Sequence, residues 1–336
     1  MSRELYIAAA SSWLPARMTL DEAESAGLVE RSRVWNTGIE SVCVSPDKSA
    51  PEMAVLAARD ALERAGSGAQ DLDLMLHACA YHQGHDMWPS ASYIQQFSGG
   101  GTCPAMEVRQ MSNGGMAALE LAAGYLLADD RAAALITTAD RFCLPGFDRW
   151  RSDPSTVCGD GATAVVLSTR AGFAELRGLA TVSDPELERG GRGDRFSDAP
   201  LARGGPVDLN PNSDSLVREL GLEGLLRRIE AGQREAFDRA CVQADVKLSD
   251  IDWFVLPNLG RTRMRAQYFD PFGIDPQRST WAWGRQVGHL GAGDQFAGLA
   301  HLIAADSLKP GQTCVLASVG AGFTWTVGVL EIVAGP

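Results

Sequence analysis

Glu107-Val108-Arg109-Gln110-Met111-Ser112-Asn113-Gly114-Gly115-Met116-Ala117-Ala118-Leu119-Glu120 is the stretch whose reading decides the fold. A strand ends here and a helix of small residues begins, with Ser112 at the junction. A strand-to-helix turn points its side chain and the first free backbone N–H groups into the same space. The helix N-terminus is also partly positive, so negative charge developing there is stabilised. Taken alone, Ser112 reads first as a helix cap whose hydroxyl satisfies backbone N–H groups. The rest of the chain decides whether it does more.

Working outward, Leu5 to Ala10 reads as a first strand and Pro51 to Gly66 as a helix with Pro at its start and Gly at its end. A buried strand follows from Leu72 to Ala78, then a short helix from Pro89 to Gln96. After these come a strand from Ala105 to Arg109, the helix Gly114 to Leu127 and a strand from Ala132 to Thr138. Strands alternating with helices at this spacing predict parallel α/β units covered on both faces.

The second half echoes the first. Ala61-Leu62-Glu63-Arg64-Ala65-Gly66, followed by Asp71-Leu72-Asp73-Leu74-Met75-Leu76, is answered by Ala236-Phe237-Asp238-Arg239-Ala240-Cys241, followed by Asp250-Ile251-Asp252-Trp253-Phe254-Val255. The helix and strand from Met116 to Thr138 are answered by Phe296 to Ser318. Two copies of one α/β unit, divided near residue 170, imply a pseudo-twofold axis that brings the starts of the two central helices together. Ser112 precedes the first, and Gly288-His289-Leu290-Gly291-Ala292-Gly293-Asp294 precedes the second, so a hydroxyl and an imidazole distant in sequence are expected to meet. Between the halves, Asp184 to Ser215 is rich in Gly, Arg, Asp and Pro, including Gly190-Gly191-Arg192-Gly193-Asp194-Arg195. A polar segment of this length suggests a lid over a site.

Composition limits the partners. A chain of 336 residues, 45% hydrophobic, fills a substantial core. A formal charge of −12 with no run of Lys and Arg argues against nucleic acid or an anionic membrane surface. The N-terminus is charged where a signal peptide is apolar, and no apolar run approaches the roughly 18 residues of a membrane span, so a cytoplasmic protein is expected. Seven scattered cysteines without a C-x-x-C suggest neither a disulfide framework nor a zinc site. His82 and His85 have a spacing that invites a metal reading, but no further ligands at suitable spacing accompany them, and no metal or permanently bound cofactor is assigned.

Thr37-Gly38-Ile39, Pro89-Ser90-Ala91 with Ile94-Gln95, Gly159-Asp160-Gly161-Ala162 and Gly320-Ala321-Gly322-Phe323-Thr324-Trp325 occur in an order and spacing that resembles the thiolase superfamily, and within it the β-ketoacyl synthase III group, over essentially the whole chain. The resemblance implies an α/β thiolase fold, two duplicated α/β units in a five-layered αβαβα arrangement, with residues 1–170 carrying the nucleophile and 171–336 the other catalytic groups. It also implies a homodimer.

In that family a cysteine nucleophile opens the first central helix, where Ser112 stands here. The family's other two catalytic positions, normally His and Asn, fall at Asn258 and His289. The types at these two positions are thus exchanged, which alters the hydrogen-bonding pair used for decarboxylative condensation. Acyl transfer needs less: a nucleophile, a base, a group to orient the base and donors for the oxyanion. The resemblance assigns Ser112 as nucleophile, His289 as base, Asp294 as its orienter, Asn258 as a hydrogen-bonding group, and the N–H groups of Ser112 and Gly322 as the oxyanion hole. A subset of synthase III relatives from polyketide pathways looks similar, with His followed by Asp here. The resemblance also places the loop of His82 and His85 at the acyl pocket, and Arg151, Arg261, Arg263 and Arg265 near the phosphates of coenzyme A or of a carrier's phosphopantetheine arm. The family's stacking Trp is out of register, Ser32 standing there with Trp35 nearby.

The expected activity is transfer of a short acyl group from acyl-CoA or an acyl carrier protein, through a Ser112 ester, to a small-molecule hydroxyl or a carrier thiol. A starter-unit condensing enzyme and a non-catalytic partner subunit of a thiolase-fold heterodimer are the alternatives.

Overall fold

The computed structural model describes residues 4–193 and 204–335. Among them run strands β1 (Tyr6–Trp13), β2 (Arg17–Thr19), β3 (Ser41–Cys43), β4 (Leu74–Ala78), β5 (Ala105–Val108), β6 (Ala133–Asp140), β7 (Gly161–Ser168), β8 (Ala174–Ser183), β9 (Trp253–Val255), β10 (Thr313–Gly320) and β11 (Thr324–Ile332). Apart from the small β2–β3 pair, the strands form a single sheet in the order β5-β4-β6-β7-β1-β8-β11-β10-β9.

The duplication is visible in this order. On one side β4 and β6 are parallel, and β6–β7 and β7–β1 antiparallel; on the other β9 and β10 are parallel, and β10–β11 and β11–β8 antiparallel. The place of β5 is taken in the second half by a single parallel bridge, Phe254 to Ser279. The two halves join where Tyr6 and Ile7 pair with Glu175 and Ala174.

The sheet is mixed: β4, β5 and β6 run parallel, as do β9 and β10, in keeping with the α/β units expected, while β7 runs against β6 and β1, and β11 against β10 and β8, a direction the sequence reading did not assign. The reason is loop length: only Ala321–Phe323 separates β10 from β11, and a parallel crossover needs about a dozen residues. The element bounds otherwise differ from the sequence reading by a few residues at the ends, and one of these matters. β6 runs past Thr138 to Asp140, which is fully buried.

Alternation along the strands sorts the core into three slabs. Leu74, Leu76, Ile136, Val165, Leu167, Leu316 and Leu330 face the two central helices, Gly114–Leu127 and Asp294–Ala304, through Met116, Leu119, Phe296 and Leu299. Their neighbours Met75, Leu135 and Val166 face the outer helix Ala50–Arg64, and Val315, Val327 and Val329 face the outer helix Leu222–Ala244. Outer helix, one half of the sheet, the helix pair, the other half of the sheet and the second outer helix make five layers. The helix Ala50–Arg64 starts where Ser49 and Glu52 form a capping box around Pro51, and it presents Met53, Ala57, Ala61 and Leu62 to the core.

The central helices meet through small residues. A Cβ on Gly115 would lie 2.5 Å from the carbonyl oxygen of Ala292, so a glycine there lets the two helix starts touch. Each start is a single 3₁₀ turn, Met111–Asn113 in one half and Gly291–Gly293 in the other.

The segment expected to form a lid is packed at both ends. Asp184 exchanges backbone hydrogen bonds with Phe323, and its carboxylate pairs with Arg228. Val207 and Leu209 donate to the carbonyls of Gly146 and Ser152, and Leu187 and Leu216 are buried. Residues 194–203, including Asp194 and Arg195 of the glycine-arginine run, lie outside the described residues. No helix among the described residues is long and apolar enough to cross a membrane.

Candidate active site

Ser112 occupies the middle of its 3₁₀ turn at the C-terminal end of β5, half-buried, with Met111 before it at φ +49°. A left-handed conformation in a non-glycine residue costs on the order of 1 kcal/mol and marks a backbone held by its surroundings. Ser318 of β10 clamps the turn by donating to the Ser112 carbonyl at 3.2 Å.

Ser112 Oγ lies 2.7 Å from Nε2 of His289, and Nδ1 of His289 lies 2.6 Å from Oδ2 of Asp294. The duplicated fold thus brings together the three residues that sequence reasoning paired. Asp294 opens the second central helix, and its carboxylate also accepts the N–H groups of Leu290 and Asn258, each at 2.8 Å. With its oxygens so occupied, Asp294 accepts the Nδ1 proton and leaves Nε2 free to take the proton of Ser112. The backbone of His289 is pinned as well: it donates to Val157 and accepts from Gly159, both at 2.9 Å.

Burial works to lower the pKa of His289, but the charge of Asp294, its hydrogen bond and the more distant charges of Asp153 and Asp140 outweigh it, so the imidazole is held above its ordinary value. The serine, a poor nucleophile at neutral pH, therefore faces a stronger base than a free histidine.

The remaining predicted residues divide. Asn258 sits beside the triad but does not present its amide to the site. It is buried, its Nδ2 donates to the Gly288 carbonyl at 2.9 Å, and its Oδ1 faces Gly284 so closely that a Cβ there would be 2.1 Å away. These bonds tie Asn258 to Asp294 and to the turn before His289. Gly322 lies half-buried in the β10–β11 turn; two residues earlier, Gly320 packs against Gln110 and Asn113 on either side of Ser112.

Of the four arginines, Arg261 alone lines the cavity of about 430 Å³ formed with Thr19, Arg31, Trp35, Ile39 and Arg285. Arg263 is committed to Thr156 at 2.8 Å and Asp153 at 3.4 Å. Arg265 pairs at 3.6 Å with Asp270, and Arg151 at 3.2 Å with Asp148. These three are not in the cavity wall. Leu259 and Gly260 alone separate Arg261 from Asn258, whose N–H is bound by Asp294.

His82 and His85 are exposed, His82 facing Asp86 at 3.8 Å and His85 standing edge-on to Trp88. No three potential metal ligands converge among the described residues.

Sequence reasoning named Trp35 as out of register and missed two further features. Trp35, 69% exposed, stands at the cavity mouth despite its shifted register. Arg31 and Arg285 share that wall; Arg285 is braced by Glu40 at 2.9 Å and lies over Trp281. Asp140 is a second fully buried carboxylate, accepting N–H groups from Ala80, Tyr81 and Ala292. A charged residue closing an otherwise apolar strand was the available signal for it.

The family model described as 3-oxoacyl-[acyl-carrier-protein] synthase III matches residues 106–185, and the one for that family's C-terminal region matches residues 241–332. The chain is 28% identical over 341 residues to a β-ketoacyl-[acyl-carrier-protein] synthase III of Rhizorhabdus wittichii, covering 98% of this chain and 99% of that protein. The solved structure of ChlB3, named as an acyltransferase, is 33% identical, covers 98% of each chain and superposes with a TM-score of 0.93. The synthase III FabH of Pseudomonas aeruginosa, 21% identical over 99% of this chain and all of its own, shares the fold with a TM-score of 0.77.

Proposed function

The chain belongs to the β-ketoacyl-acyl-carrier-protein synthase III group of the thiolase superfamily, and from that premise we propose that it is an acyltransferase working through an ester on Ser112. The observation that carries this reading is the unbroken relay from Ser112 Oγ to His289 Nε2 at 2.7 Å and from His289 Nδ1 to Asp294 at 2.6 Å.

In the first half-reaction Ser112 Oγ attacks the thioester carbonyl while His289 takes its proton. The oxyanion is met by the N–H groups of Ser112 and Gly322. Collapse breaks the carbon–sulfur bond, and the leaving thiolate takes the proton from His289. In the second, His289 deprotonates an acceptor hydroxyl or carrier thiol, which attacks the ester, and Ser112 recovers the proton. Arg261 and Trp35 suit a phosphate-bearing, aromatic donor such as acyl-CoA, or the arm of an acyl carrier protein, at the cavity.

The condensing alternative is less well supported, because decarboxylation needs a pair of donors at the enolate oxygen and the Asn258 amide is spent on Gly288. ChlB3 is named as an acyltransferase, which supports transfer over condensation; a natural-product pathway and a cytoplasmic location are part of the proposed reading. The free edge of β5, with Met106 exposed on it and Met111 just beyond, supports a dimer with a second copy.

Incubation with short acyl-CoA donors, followed by intact mass, tests the proposal. Wild type gains one acyl group and Ser112→Ala gains none. Absence of an adduct with every CoA and carrier donor supports the partner-subunit reading instead. Release of carbon dioxide with a β-ketoacyl product from a malonyl donor overturns simple transfer.

A further inference from the structure

The turn that carries His289 into the second central helix is held between two buried carboxylates, one from each half of the fold. The N–H of Leu290 donates to Asp294 at 2.8 Å and the N–H of Ala292 donates to Asp140 at 3.1 Å. Asp140 stands at the end of β6 and is bound by backbone alone: Ala80 donates to both oxygens at 3.0 Å and Tyr81 to Oδ1 at 2.7 Å. Gly291, at φ +61° between the two anchored N–H groups, has no room for a side chain, since a Cβ would lie 2.0 Å from Asp140 Oδ2. One carboxylate thus ties the loop after β4 to the turn that aims the base.

We propose that Asp140 is a positioning residue for His289, fixing the Gly291 turn through the Ala292 N–H and supporting the imidazolium by its charge. Its environment makes that charge conditional. Burial raises the Asp140 carboxyl to about 7, against the lowering effect of its three backbone donors and of His289. The groups facing His289 are Asp294, Asp140, Asp153 and the Ser112 hydroxyl. Those facing Asp140 besides His289 are the thiols of Cys79 and Cys158, both pushed up by burial, Cys79 to about 12. A carboxyl titrating within the range where the histidine does couples the two, so that protonation of Asp140 makes His289 a weaker base.

The test compares wild type with Asp140→Asn by the pH dependence of Ser112 acylation. Loss of the negative charge lowers the pKa of His289, so the acid limb of the variant is expected to move to lower pH by about half a unit or more. A folded variant with an unmoved limb overturns the proposal, since a purely structural strut changes rate and stability but not the limb. Where the variant does not fold, NMR titration of the His289 ring in wild type decides: two inflections, one near the Asp140 step, support coupling, and a single step overturns it. The inference rests on the acyl-transfer reading only for its rate assay. A wild type that forms no adduct with any donor defeats that reading, while the ring titration still tests Asp140.

Discussion

Ser112 and Ala292 are equivalent residues of the two halves, each the middle of the 3₁₀ turn that precedes a central helix. The duplication thus places two helix starts in contact and lets the sequence specialise them. One keeps the hydroxyl, and the other surrenders its middle position to an alanine while its flanks, His289 and Asp294, supply base and orienter. Ser112 does not act as the cap that its residue type first suggests, because its Oγ is engaged with His289 Nε2.

Contact between the two turns depends on Gly115. In Gly115→Ala the new methyl meets the Ala292 carbonyl at 2.5 Å, and backbone cannot yield as a side-chain end can. The helix-propensity gain of about 1 kcal/mol is opposed by overpacking worth about 1–3 kcal/mol. A lower Tm together with slower acylation is expected from calorimetry and stopped-time mass analysis. An unchanged rate would show that the turns have slack.

Asp294→Asn removes an acceptor that serves three N–H groups, those of His289, Leu290 and Asn258. The amide can accept at one oxygen and must point its NH₂ at a donor, which favours the wrong imidazole tautomer. Acylation is expected to fall by roughly 10²–10⁴-fold, with a stability loss of about 1–3 kcal/mol. A variant with intact fold and near wild-type rate would remove Asp294 from the relay.

Activity and stability are expected to move in opposite directions across neutral pH. The raised pKa of His289 means that the neutral base accumulates only above the ordinary 6.5, so acylation rises with pH through that region. The same shift means that the native state holds the proton more tightly than the unfolded chain. The stability it contributes is complete below about 6.5 and is lost as pH rises through the native value. Asp140, raised from 3.8 to about 7, has the same sign: its contribution falls between those values. A Tm that climbs steadily from about pH 6 to about pH 8, in parallel with the acylation rate, would contradict both assignments.

Much of this was legible in the sequence because it is local. The strand-to-helix junction at Ser112 and the helix Gly114–Leu127 are decided by small residues and by hydrophobic period, and the weak repeat was enough to bring His289 towards Ser112. Strand direction was not legible, because it depends on which edges meet and not on any residue pattern; only the short connection Ala321–Phe323 carried the signal. Asp140 was overlooked because its partners are backbone N–H groups from two segments far apart in sequence, which leave no side-chain motif. The arginines follow the same logic: charge is visible in sequence, but whether a guanidinium is already engaged, as Arg263 is by Thr156, is a tertiary fact.

That last distinction gives a sharp test at the cavity. Arg261 lies with its guanidinium against Gly38, where a Cβ would sit 2.8 Å from Nε, and it opens onto the space shared with Trp35 and Arg31. A charge-assisted bond to a donor phosphate is worth about 1.5 kcal/mol, close to tenfold in affinity. Arg261→Ala is therefore expected to raise KM for CoA donors by roughly tenfold while leaving kcat unchanged, since the phosphate is far from the reacting carbonyl. Arg265→Ala, outside the cavity wall and paired with Asp270 at 3.6 Å, is expected to leave both constants alone. Steady-state kinetics with an acyl-CoA and with the same acyl group on a short pantetheine separates the effects: the Arg261 penalty should vanish with the truncated donor, which has no phosphate to lose. A penalty that persists there would place Arg261 at the pantetheine or the fold, and equal effects from both arginines would mean that donor binding follows net charge and not this cavity.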